Sequence, residues 1–161
     1  MFARRIPIRA VTSSLRPQSS LRPARFTSFP AAPRFKSTMA EIISTAEAPA
    51  ALGPYSQAIK TANVIYLSGQ IPLKPDGTFV EGSIADKTAQ CCKNITAVLE
   101  AAGSDISKVV KTTIFLSNMD YFAELNTEYE KWFAHKPARS CVAVKTLPKN
   151  VDVEIEAIAL P

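Results

Sequence analysis

The sequence predicts an α+β domain in which a single mixed sheet carries two helices on one face. Three observations predict it. Residues 83–102 and 121–133 place apolar side chains three and four positions apart, the spacing of one helix face. Residues 63–72, 109–117, 138–147 and 151–160 are apolar or β-branched runs bounded by Gly, Pro or Asn, as strands are. The elements follow in the order β-β-α-β-α-β-β, and two helices that cross between strands pack most simply on the same sheet face.

Taken along the chain, a short β-prone EIIST segment at 41–45 comes first, and EAPAALGPYSQ (47–57) reads as an ordered loop because Pro49, Gly53 and Pro54 interrupt any regular element. NVIYLSGQIP (63–72) is a strand that Gly69 and Pro72 end, followed by a turn through Pro75, Asp76 and Gly77. Ser83 with Asp86 marks a helix start. Ala85, Ala89, Cys92, Ile95, Leu99 and Ala102 form its apolar stripe, and Gly103 is its stop. VVKTTIFLS (109–117) is the next strand, and Phe122, Leu125, Tyr129, Trp132 and Phe133 mark a second helix. ARSCVAVKTL (138–147) and VDVEIEAIAL (151–160) close the chain around a turn at 147–150. In the last strand Val151, Val153, Ile155, Ala157 and Ala159 point one way, and Asp152, Glu154, Glu156, Ile158 and Leu160 the other. That second face is polar first and apolar later. With no further element to cover it, it predicts oligomerisation, with the polar end at a subunit boundary.

Charge divides the 161 residues at position 39. The whole chain carries +5, but residues 1–39 hold eight Lys and Arg and no acid, and residues 40–161 hold eleven basic and fourteen acidic groups, a net −3. The first part is rich in Arg, Ser and Thr, and its opening residues can form an amphipathic helix with Ile8, Val11 and Leu15 opposite Arg5, Arg9 and Arg16. This composition is that of a mitochondrial transit peptide, with a chloroplast address or a disordered basic arm as the weaker readings. Residues 1–39 are therefore expected to be a disordered leader removed near Arg34 to Met39, and residues 40–161 a single domain in the mitochondrial matrix. Met39 offers an internal start for a cytosolic form.

At 122 residues the domain can bury roughly 65% of the surface its unfolded chain exposes, so it folds without metal or disulfide. Three cysteines without a CxxC pair and one histidine argue against a disulfide framework or a zinc site. No run approaches the ~20 apolar residues of a membrane span. No GxxxxGK[ST] or GxGxxG loop is present, which disfavours nucleotide cofactors. A −3 domain without a basic patch gives nucleic-acid binding no support.

One cation stands out. Arg139 is the only arginine among residues 40–161, against ten lysines, and its planar fork suits bidentate recognition of a small carboxylate. An internal ion pair with Glu154 or Glu156 is the equally weighted structural alternative. Those two glutamates share a strand face, as a carboxylate pair or a solvated edge. Cys141 faces the same side as Arg139 and reads as a small buried hydrophobe, as does Cys92 on its helix. His135, expected to be exposed, is no partner for a catalytic thiol.

Six segments in order, GPYSQAI (53–59), YLSGQIP (66–72), KTTIFLSNM (111–119), NTEYEKWF (126–133), PARSCVAV (137–144) and VEIEAIA (153–159), together resemble the RidA/YjgF family of 2-iminobutanoate/2-iminopropanoate deaminases. With its basic leader, the chain is most similar to mitochondrial members. The resemblance implies a chorismate-mutase-like fold, a homotrimer with sites between subunits, no cofactor, and hydrolysis of reactive 2-imino acids released by pyridoxal-phosphate dehydratases. It also implies roles in isoleucine biosynthesis and mitochondrial maintenance. Arg139 then holds the substrate carboxylate, Glu154 orients the water, and Tyr55, Ser68, Gly69, Asn126 and Cys141 line the pocket. Where Lys136 stands many members carry an aromatic, a departure that alters the pocket wall and with it the preferred substrate size. A ribonuclease or translation inhibitor, and a noncatalytic ligand-binding or chaperone-like trimer, are the other activities the resemblance brings.

Overall fold

A computed structural model describes residues 40–161; the transit peptide and processing site expected within residues 1–39 lie outside them. Six strands form one sheet in the order β1-β2-β3-β6-β4-β5, with β1 at Glu41–Ile43, β2 at Ala58–Lys60, β3 at Ile65–Gln70, β4 at Val109–Leu116, β5 at Ala138–Ala143 and β6 at Val153–Ala159. Helices α1 (Ile84–Ala101) and α2 (Phe122–Trp132) complete the layer. Every strand pair is antiparallel except β4 with β5, so the sheet is mixed. The exception follows from connectivity, because α2 carries the chain from β4 to β5 and a helical crossover returns it in the same direction.

Helix α1 begins where its cap allows. Ser83 accepts from the Asp86 backbone amide while the Asp86 carboxylate accepts from the Ser83 amide, satisfying two donors that a bare helix end leaves open. It ends at Ala102, and Gly103 follows with a φ of +74° that a Cβ would disfavour. The buried stripe is turned from the expected one: Ala85 and Ala89 are half-buried, while Ile84, Thr88, Cys91, Cys92, Ile95, Val98 and Leu99 enter the core. Four of those buried positions, Ile84, Thr88, Cys91 and Val98, are not in the expected apolar series: Thr and Cys are weak apolar markers, Ile84 opens the helix, and Val98 adjoins Leu99 on the same turn.

The core lies between the helices and one sheet face, where Ile65, Ile114, Leu116, Val153 and Ile155 meet Ile95, Leu99, Leu125 and Phe133. Inside it, Thr112 Oγ1 pairs with the Tyr129 hydroxyl at 2.7 Å, which satisfies both groups and ties β4 to α2. The other face is partly covered by the chain itself. Ile71, Leu73, Leu147 and Val151 form a smaller cluster against Phe115, and buried Asn94 of α1 donates to the carbonyls of Ile71 and Leu73. Beyond that cluster, cross-strand register aligns Ile42, Ile59, Tyr66 and Ile158 in an apolar row, with Ile42 70% and Tyr66 51% exposed.

Two expectations change. The residues after the 47–57 loop include a strand, β2, too short to show alternation and held by pairing on both sides. The strand expected to run to Leu147 ends at Ala143, because β4, its only neighbour, ends at Leu116 opposite it.

Candidate functional site

Arg139 sits on β5 directly opposite Thr112. Thr112 is fully buried against the helices, and cross-strand partners share a face, so Arg139 points to the helical side. There the guanidinium lies over two rings of α2, 5.6 Å from the centroid of Phe122 and 5.0 Å from that of Tyr129. Its Nη1 donates to Asn126 Oδ1 at 2.7 Å. Phe122, Asn126 and Tyr129 recur three and four residues apart, so one helix face supplies both the stacking rings and the acceptor. The ion pairs among the described residues are Lys87 with Asp152 and Lys131 with Glu128. The expected alternative partner for Arg139 is thereby corrected: β4 separates β5 from β6, and Arg139 pairs with neither Glu154 nor Glu156. Its fork keeps donors open toward a cleft of about 350 Å³ lined by Asn126, Tyr129, Glu130, Lys136 and Pro137.

Glu154 sits opposite Phe115 on β4 and so points to the other side of the sheet. It lines a second cleft of about 430 Å³ with Tyr55, Ser68, Gly69, Pro148 and Lys149. Burial raises its carboxyl above the ordinary glutamate range, and the charge of Glu156 pushes the same way. Gly69 is what lets the carboxylate lie there. It falls within the register shift between Leu67 and Gln70, where β3 leaves its ladder with β6. A Cβ on Gly69 would overlap Glu154 Oε1 and stand 2.7 Å from its Cδ.

The loop on the rim of this cleft has an organiser that the sequence reading did not single out. Gln57 is buried; its Oε1 accepts from the Thr45 amide at 2.6 Å, and its Nε2 donates to the carbonyls of Thr45 and Pro49 at 3.1 and 2.8 Å. The signal was present, since an amide that ends a Pro- and Gly-rich loop carries the donors and acceptor such a loop lacks. Ser68 Oγ adds a bond to the Ser56 carbonyl at 2.6 Å, and Tyr55 accepts from the Leu52 amide through its hydroxyl at 3.1 Å.

The candidate residues thus fall into two groups on opposite faces: Arg139 with Asn126, and Glu154 with Tyr55, Ser68 and Gly69. Cys141 shares the face of Arg139 but packs against the core and lines neither cleft; burial raises its thiol, with Arg139 opposing, so it stays protonated at neutral pH. Cys91 and Cys92 are buried on α1 and raised further still by burial. His135 is exposed, as expected, and its Nε2 lies 2.9 Å from the Val109 carbonyl.

A two-layer α+β sheet protein with an anion-ready arginine on one face and a carboxylate cleft on the other is the class defined by these features. The family described as Endoribonuclease L-PSP matches residues 45–161, and the chain belongs to this family, also known as RidA/YjgF. Among its relatives are Protein MMF1, mitochondrial, of Saccharomyces cerevisiae, 49% identical over 73% of this chain and 82% of that one. Reactive Intermediate Deaminase A, chloroplastic, of Arabidopsis thaliana is 51% identical over 74% of this chain and 65% of that one. The crystal structure of YEO7_yeast superposes with a TM-score of 0.75 at 54% identity, covering 76% of this chain and 98% of that one.

Proposed function

We propose that the protein hydrolyses reactive 2-imino acids and their enamine tautomers, of the 2-iminobutanoate and 2-iminopropanoate type, to 2-oxo acids and ammonia. The observation that carries this reading is Arg139, stacked and hydrogen-bonded by α2 yet without a carboxylate partner among the described residues. A fork so held is pre-organised for a carboxylate it has still to meet. The relative named as a reactive intermediate deaminase supports the reaction class.

The chemistry asks little of the protein. An imine carbon is already electrophilic, so positioning and proton transfer suffice. Arg139 fixes the C1 carboxylate. Glu154, made more basic by burial, takes a proton from water as the oxygen adds to C2. Protonated Glu154 passes that proton to the nitrogen, giving the carbinolamine; transfer of the hydroxyl proton to the same nitrogen then breaks the C–N bond and releases ammonia and the 2-oxo acid. Tyr55 and the backbone at Ser68 and Gly69 form the wall of the pocket, and Cys141 contributes packing without covalent chemistry.

Because Arg139 and Glu154 face opposite sides of one sheet, one substrate reaches both only between two copies. The apolar row through Ile42, Tyr66 and Ile158 and the exposed edge strand β5 supply surfaces for such contact. The assembly proposed is a homotrimer with sites at its subunit boundaries. The acid-free leader and the mitochondrial relative support residues 1–39 as a transit peptide delivering residues 40–161 to the matrix, with Met39 as a start for a cytosolic form. There the protein would shield pyridoxal-phosphate enzymes from enamines and so support isoleucine biosynthesis and mitochondrial maintenance.

The test couples a dehydratase acting on threonine or serine to 2-oxo acid release. Catalytic amounts of the protein should accelerate release, and Arg139→Ala should lose roughly ten- to hundredfold in kcat/KM while remaining folded, the worth of a charged hydrogen bond. Unchanged turnover would refute the role of Arg139. The family description favours ribonuclease activity as the second reading; salt-sensitive RNA binding by residues 40–161 would support it, against a net charge of −3.

A further inference from the structure

We infer that Lys136 is a specificity-determining residue which binds a second carboxylate, on the side chain of the substrate, and so extends the site to imines of acidic amino acids; the inference rests on the deaminase reading. Lys136 lines the same cleft as Arg139. Its φ of +56° is left-handed, a conformation that glycine or asparagine fills at lower cost, and Pro137 restricts it further. The conformation is locked by the Lys136 amide, which donates to the Phe133 carbonyl at 2.9 Å and closes the turn after α2. A long cationic side chain is thus fixed at a position that favours a small one.

The charge is also uncommitted. No carboxylate lies within ion-pair distance of Lys136 among the described residues, whose ion pairs are Lys87 with Asp152 and Lys131 with Glu128. The cleft holds Arg139 and Lys136 against Glu130 alone, a net of one positive charge. Once Arg139 takes the C1 carboxylate, Lys136 remains for a second anionic group one or two methylenes beyond C2. Lys149, at φ +58°, lines the opposite cleft but shares it with Glu154, where a second substrate carboxylate would be repelled. The chemistry at C2 is unchanged: water adds, ammonia leaves, and the distal carboxylate is carried through intact.

The experiment generates imines in place with amino-acid oxidases, from aspartate or glutamate on one side and alanine or 2-aminobutyrate on the other. The ratio of acidic to neutral kcat/KM is compared for the wild-type full chain, Lys136→Met, Lys136→Arg and Lys136→Gly. Lys136→Met should lower the ratio about fivefold, the scale of one exposed ion pair, and Lys136→Arg should restore it. Lys136→Gly should lower it equally although it relieves the backbone, and raising the salt concentration should lower the wild-type ratio. A ratio unmoved by Lys136→Met and Lys136→Gly, or a wild type that hydrolyses neutral imines and ignores dicarboxylic ones, overturns the subsite and leaves the deaminase reading standing. No acceleration of any imine overturns both.

Discussion

At the scale of single residues, the carboxylate of Glu154 and the absent side chain of Gly69 act as one feature. The half-buried carboxyl has its pKa raised by desolvation, and it reaches its position only because nothing projects from Gly69. An alanine there would displace the flexible end of Glu154 before it moved any backbone. Gly69→Ala should therefore keep its far-UV circular dichroism and lose roughly a hundredfold in kcat/KM for imine hydrolysis, the scale of a lost general base. Wild-type rates in a folded variant would show that Glu154 works from elsewhere. A second prediction concerns pH. Activity that needs ionised Glu154 falls as pH drops through its raised pKa, and Glu156 contributes to that rise. Glu156→Gln should move the acid limb of kcat/KM to lower pH; a limb moving up or staying still would separate the two carboxylates. Some of this was legible in the sequence and some was not. Arg139 announces itself as a lone arginine among lysines, and the alternation of β6 puts Glu154 and Glu156 on one face. What the sequence withholds is long-range: that Asn126, thirteen residues away, accepts from Arg139, and that Gly69 gives up its side chain to a strand 85 positions on.

At the scale of elements, the helices were readable because a single amphipathic stripe with a capping box is a local pattern, and Ser83 with Asp86 closes that box as expected. β2 was not, because three residues carry no alternation and their strand state comes from partners at β1 and β3. The same dependence on distant partners fixes how α1 sits on the sheet. Lys87 of α1 donates to Asp152, at the entrance to β6, at 2.6 Å, and the pair is mostly buried. The hydrogen bond from Lys87 lowers the Asp152 carboxyl below its ordinary 3.8, with Ser117 helping. Asp152 raises Lys87 above its ordinary 10.5. A carboxylate whose folded pKa is depressed stabilises the fold above its unfolded value and loses that contribution as pH falls through the folded one; the raised lysine loses its own as pH rises through its folded value. The pair therefore contributes fully from about pH 4 to pH 10. Asp152→Asn should lower the melting temperature by about 3–5 °C at pH 7, near 1 kcal/mol, with the gap to wild type closing below pH 4. Equal gaps at pH 7 and pH 3 would mean that packing, and not the ion pair, sets the contribution.

At the scale of the whole molecule, the placement of the two groups of candidate residues bears on the proposed assembly. The β4 register puts Arg139 on the face of Thr112 and Glu154 on the face of Phe115, so side chains rooted on opposite faces of one sheet cannot close on a three- or four-carbon substrate. The sequence pointed toward this through the half-apolar face of β6, but only the register shows that the arginine belongs to the helical side. In a closed ring each site would take Arg139 from one subunit and Glu154 from its neighbour. This arrangement has an arithmetic signature. Arg139→Ala and Glu154→Gln should each keep no more than about a tenth of wild-type activity alone. Mixed in equal amounts and reassembled, each boundary has one chance in two of receiving an intact Arg139 and one in two of receiving an intact Glu154. About a quarter of wild-type activity should then return, with size-exclusion chromatography and light scattering reporting a trimer throughout. If both residues served a substrate within one subunit, every subunit in the mixture would carry a lesion and no activity would return, whatever the oligomer. Recovery that rises with mixing time, at the rate at which subunits exchange, would place the site at the boundary between copies.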